Sequence, residues 1–145
     1  MASIRKEIVI YASAERAWDS LRDWAALHVR LVPGFATDAR LDGEDRIVTF
    51  ANGSVLRERL VALDDDALRL VWSIADPPYI HHNASAQVFA DGPGRSLFVW
   101  IADFLPNELA DRVAPLMEHA LGVIKRTLES EQRLDTVIVD RSRAP

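Results

Sequence analysis

The sequence predicts an α+β domain in which seven antiparallel strands curve round one long C-terminal helix. Two short helices separate the first and second strands, and a pocket lies between sheet and helix. Three observations predict this. Within Pro106 to Leu134, the residues Val113, Met117, Ala120, Leu121, Ile124 and Leu128 recur at i, i+3, i+4, i+7 spacing, the mark of an amphipathic helix. Before it stand strand-like segments joined by short turn signals, which favours antiparallel neighbours because parallel ones need long crossovers. The first strand is cut off from the others by the helical stretch, so it must pair with strands much later in the chain.

Each element has its own signal. Ile4 to Tyr11 reads as a strand, with Ile4, Ile8 and Ile10 on one parity, Arg5 and Glu7 on the other, and Lys6 breaking the pattern. Ser13 is an N-cap candidate for a helix over 14–22, buried through Ala14, Ala17, Trp18 and Leu21. Asp23 interrupts it, Trp24 to Leu31 forms a second short helix, and Pro33-Gly34 stops that. Asp42-Gly43 separates two strands. Asn52-Gly53 is a two-residue hairpin signal between 47–51 and 54–63. Asp64-Asp65-Asp66 caps the next hairpin, and Leu68, Leu70, Trp72 and Ile74 alternate along the strand after it. Asp76-Pro77-Pro78 breaks that strand. The segments 81–90 and 95–104 follow, joined by Asp91-Gly92-Pro93-Gly94.

Pro106 suits the first turn of the last helical region. Pro115 predicts a kink or break near Arg112 to Ala114, with the helix proper from about Ala114 to Leu134. Gly122 inside it suggests a close approach to the sheet or room for something bulky. The domain then covers 1–134, and Asp135 to Pro145 is expected to be a polar, partly ordered tail apart from Val137-Ile138-Val139.

Composition narrows the function. The 145 residues carry a net charge of −5, which argues against nucleic acid as the main partner. With no cysteine, disulfides, thiolate nucleophiles and Cys-ligated metals are excluded. Met1 to Glu7 has no apolar signal-peptide core, and no apolar run approaches the roughly 20 residues that span a bilayer, so a cytoplasmic protein without membrane insertion is expected. Catalytic motifs with fixed spacing are missing: no phosphate-binding glycine loop, Rossmann fingerprint, HxxxH or HExxH occurs. No cofactor and no metal site are expected.

Several local patterns resemble the START-like, or Bet v 1-like (SRPBCC), superfamily, and within it the polyketide cyclase/dehydrase-like branch. Ala12-Ser13-Ala14-Glu15-Arg16-Ala17-Trp18 is similar to that family's opening of the first helix, and Leu21-Arg22-Asp23-Trp24 to its end. Pro33-Gly34, Arg57-Glu58-Arg59-Leu60 with Asp64-Asp65, Ser96 to Trp100, and Phe104-Leu105-Pro106 follow in the family's order over about 125 residues. Leu31 departs from it, standing where relatives often carry a tryptophan. The resemblance implies a helix-grip fold whose cavity holds hydrophobic, lipid-like or polyketide-like molecules.

Within such a cavity the candidate acid–base residues are Glu58 and His82. Glu58 shares a parity with Leu56 and Leu60, opposite Arg57 and Arg59, so it faces inward if the arginines face water. A carboxylate in an apolar pocket suits proton transfer. Two alternatives stay open: Glu58 pairs with an arginine or a hydroxyl inside, or Val55, Val61 and Leu63 mark the inner face. His82 shares its parity with Ala84, Ala86 and Val88, while His81 goes with Asn83, Ser85 and Gln87. A histidine hydrogen-bonded near the sheet edge is the alternative there. Trp72, Tyr79, Trp100 and Phe104 on the late strands, Met117 on the long helix, Trp24, Leu27 and His28 at the second short helix, and Phe35 after the Pro-Gly turn are the candidate ligand-binding residues. Ordinary core packing is the alternative for the aromatics.

Three functions remain in contention. The first is binding or transport of a small hydrophobic or aromatic molecule. The second is a cyclase, aromatase or dehydratase using Glu58 and His82. The third is a protein-interaction module whose groove takes an apolar segment. A homodimer is compatible with the sequence.

Overall fold

The computed structural model describes residues 1–142. One seven-stranded antiparallel sheet has the order β1-β7-β6-β5-β4-β3-β2. The strands are β1 Ala2–Ile10, β2 Ala36–Asp42, β3 Asp45–Phe50, β4 Val55–Asp64, β5 Arg69–Ile74, β6 His81–Ala90 and β7 Ser96–Leu105. As the chain order requires, β1 pairs with the last strand, from Ala2 opposite Phe104 to Ile10 opposite Ser96. The curved sheet grips the helix α2, Ala110–Ser142.

Between β1 and β2 stand α1, Ala14–Leu21, then a 3-10 turn at Trp24–Ala26 and a π turn at Leu27–Leu31. The Ser13 hydroxyl accepts from the Arg16 N–H, closing the start of α1. Asp23 ends the first helix and binds Arg30 instead.

The core lies between the concave sheet face and α2, where Ile10, Val48, Phe98, Phe104, Met117 and Leu128 are fully buried. Each such side chain contributes roughly 1.5–3 kcal/mol of burial. The even-numbered residues of β6 face inward: His82, Ala84, Ala86 and Val88 are buried, and His81 is exposed.

Four expectations need correction. Of the kink or break expected near Arg112 to Ala114, a break does not occur: the helix starts at Ala110, ahead of the expected Ala114, and runs on through Pro115. Pro115 and Asp111 are both exposed, so water can take the bond the proline cannot make. Helix also continues from Asp135 to Ser142, where a tail was expected; the last three tail residues, 143–145, lie outside the described ones. Gly122 makes no close approach to the sheet, since an added Cβ there would meet only the Arg126 guanidinium, at 3.5 Å. The fourth correction concerns the hairpin at Asn52-Gly53. Its loop is three residues, 51–53, closed by the Phe50 N–H donating to the Ser54 carbonyl. Only Gly53 takes a positive φ, +90°, and the Asn52 side chain accepts from the Ser54 N–H.

Candidate ligand cavity

A cavity of about 170 Å³ lies between the concave sheet face and α2. Strand alternation supplies one wall: Leu70, Trp72 and Ile74 from β5, then Phe98, Trp100 and Ala102 from β7. The indoles of Trp72 and Trp100 lie 6.3 Å apart between centroids, tilted by 44°. Ala86 sits directly opposite Trp100, and Ala84 opposite Ala102. These short side chains leave the sheet's inner face unfilled at its centre. From α2 come Val113, Met117, Ala120 and Ile124, one turn apart on the buried stripe, while Leu27 and Leu31 of the π turn close one end.

Beside the cavity is an outer recess of about 200 Å³ lined by Gly34, Ala51 and His119 among others. The two spaces share Phe35, Phe50, Asn52 and Leu116. Phe35 sets its ring edge-on to Phe50 at 5.8 Å and lies 5.6 Å from the His119 ring.

Polar groups are few and concentrated. Glu58 and Arg46 are 6 % and 3 % exposed, and both line the cavity. The Arg46 Nε donates to Glu58 Oε1 at 2.7 Å, and its Nη1 donates to the Trp24 carbonyl at 3.1 Å. The guanidinium carbon stands 3.6 Å from the Trp24 ring centroid. Burial pulls the Arg46 pKa down, and the facing Glu58 carboxylate opposes that. So Glu58 does face inward, but as one half of an ion pair. Val55 and Val61 are exposed, and a register shift between Leu60 and Ala62 returns Leu63 to the inner side.

His82 is buried on the same cavity, with Tyr79 edge-on at 4.9 Å. The Ile74 N–H donates to His82 Nδ1 at 3.1 Å. A neutral ring bonded in this way carries its proton on Nε2. Burial, then His81, lowers its pKa from 6.5 to about 4, with Asp103 opposing. Burial raises the Tyr79 pKa, keeping the phenol protonated. The Trp100 indole N–H is buried without a partner among the described residues.

The cavity thus brings together Glu58, His82, Leu27, Phe35, Trp72, Tyr79, Trp100 and Met117 of the sequence candidates. Three candidates are absent from its walls. Trp24 packs behind the ion pair and donates through Nε1 to the Glu44 carbonyl. Phe104 has the inward parity but is fully covered, with Tyr79 edge-on at 5.8 Å. His28 is half-buried in the π turn, and its Nδ1 finds no partner among the described residues. Sequence reasoning missed Arg46, Phe50, Leu56, Phe98 and Ala120. Arg46 was hidden by the turn, because only a hairpin loop of three residues, not the two read at Asn52-Gly53, sets it opposite Glu58. No group of three or more candidate metal ligands occurs among the described residues.

The architecture is that of the START-like, Bet v 1-like class. The chain belongs to the family described as "Polyketide cyclase / dehydrase and lipid transport", whose model matches residues 1–133. No curated protein matches the chain. Among solved structures it is similar to an uncharacterized protein from Bacillus thuringiensis, at 20% identity and TM-score 0.80, covering 88% of this chain and 98% of that one. A protein from Thermobifida fusca is 27% identical with TM-score 0.72, covering 90% and 92%. The di-domain ARO/CYC BexL from the BE-7585A biosynthetic pathway matches at 14% identity and TM-score 0.77, over 89% of this chain and 47% of BexL. No helix among the described residues is long and apolar enough to cross a membrane.

Proposed function

We propose that the protein binds, and carries or presents, a small hydrophobic or aromatic molecule in the cavity between sheet and helix. The observation that carries this reading is the largely apolar space between sheet and helix, bounded by Trp72, Trp100 and Met117. Its size, about 170 Å³, suits a molecule of one or two rings. An apolar cavity of about 150 Å³ is enough to hold benzene. Burial supplies the driving force, at about 25 cal/mol per Å² of apolar surface. The membership in a family that includes lipid transport supports the same reading.

A cyclase- or dehydratase-type reaction using Glu58 and His82 is the second reading, favoured by their place on one cavity and by the likeness to BexL. It has less support. A general base works best with a pKa near the working pH, and His82 is held at about 4. Glu58 is engaged with Arg46. The interaction-module reading has least, since it needs no internal void.

The test is a thermal-shift screen with small aromatic compounds, set beside native mass spectrometry of freshly purified protein. A bound compound raises the unfolding midpoint. Ala120→Phe, which projects a ring into the cavity from α2, should abolish that rise while the protein stays folded. An undiminished rise in this variant would place binding elsewhere and overturn the reading.

A further inference from the structure

The ion pair at the end of the cavity is only partly used. Arg46 engages Glu58 through Nε and Trp24 through Nη1, and Glu58 accepts through Oε1. Neither Arg46 Nη2 nor Glu58 Oε2 has a hydrogen-bond partner among the described residues. Nor is either atom among the buried side-chain atoms sealed away without one. Both residues are more than nine-tenths buried and both line the cavity, which is where an unused edge of the pair can meet a ligand. The Trp24 ring covers one face of the guanidinium, leaving its edge to meet a ligand.

Resting on the ligand-binding reading, we infer that the Arg46–Glu58 edge is a recognition site for a neutral group with a hydrogen-bond acceptor and a donor side by side. A primary carboxamide or lactam on an aromatic ring has that form. Its carbonyl accepts from Arg46 Nη2, and its N–H donates to Glu58 Oε2. Net charge decides between this and the alternatives. The pair is already balanced, so an added carboxylate must compete with Glu58 for Arg46 and repel it. An added amidinium must compete with Arg46 for Glu58. Either ion also leaves water to meet a buried pair, at a cost its partners have no free charge to offset. An apolar molecule of the same size leaves two buried polar atoms unpaired, which is costly too.

The test uses molecules that fit one ring-sized space and differ only at this end. Benzamide, benzoate, benzamidine and toluene are titrated into the full-length protein at pH 7, with ligand-observed NMR giving affinity. The Trp100 indole N–H resonance reports where they bind. Benzamide should bind roughly tenfold or more tightly than either charged isostere. In the double variant Arg46→Met/Glu58→Leu, toluene binding should persist and the ratio of benzamide to toluene affinity should fall by a similar factor. Benzoate or benzamidine binding as well as benzamide overturns the inference, and so does a ratio unchanged in the double variant. Binding of toluene without benzamide overturns it while leaving the cavity reading standing. Binding of none of the four overturns both. If the double variant does not fold, the wild-type series decides by itself.

Discussion

Glu58 is a buried acid whose meaning depends on its neighbour. Removing a partner from a buried ion pair leaves an uncompensated charge, whereas replacing both by apolar groups is often neutral or stabilising. Glu58→Leu alone is therefore expected to lower unfolding free energy by about 3–5 kcal/mol in urea titrations, and Arg46→Met/Glu58→Leu to recover most of it. His82 gives a second prediction. Its folded-state pKa, about 4, lies below the unfolded value of 6.5, so between those limits the unfolded chain binds the extra proton. Stability from this site is whole above pH 6.5 and declines as pH falls toward 4, by on the order of 3 kcal/mol in total. Denaturant unfolding across pH 4–7 should show that slope, and His82→Asn should flatten it. Parity along β4 and β6 made the inward direction of both residues legible in the sequence. The partner of Glu58 was not legible, because the two-residue turn read at Asn52-Gly53 would have set Arg46 opposite Arg59. One extra loop residue moves the pairing by one place, and Arg46 then meets Glu58.

At the scale of elements, the turn signals located every strand but did not fix every length. Ser13 capped α1 as expected because its hydroxyl stands three residues before an orphan N–H. The continuation of α2 beyond Leu134 was hidden by polarity. Its surface there is largely exposed: Leu134, Val137 and Ile138 keep i, i+3, i+4 spacing but turn outward among polar residues, a stripe too short to mark a helix that leaves the core. The Arg16 guanidinium ties its last covered turn down through Glu131 at 2.9 Å. Two glycines should behave in opposite ways. At Gly53 a Cβ meets nothing within 4 Å, so Gly53→Ala costs only the strain of its φ of +90°, about 1 kcal/mol. At Gly122, within α2, alanine is the better helix former and meets only a flexible guanidinium, so Gly122→Ala should stabilise by about 0.5–1 kcal/mol. Paired denaturant titrations of the two variants check both signs.

For the whole molecule, the seven-stranded grip on α2 followed from the order of elements, since β1 had no partner nearer than β7. The hollow inside it was only indirectly legible. Alanines on β6 pointed to space, yet which aromatics border that space depends on what packs behind them. Phe104 shares the parity of Trp100 and is nonetheless sealed by Tyr79, while Trp24 lies on the far side of Arg46. The central claim is that the concave face of the sheet and α2 enclose room that protein atoms leave empty. Crystals of the protein pressurised with xenon test it most directly, because xenon enters apolar cavities of this size. The account predicts xenon density between Trp72, Trp100 and Met117. A map showing those side chains packed against one another, with no xenon among them, would contradict it.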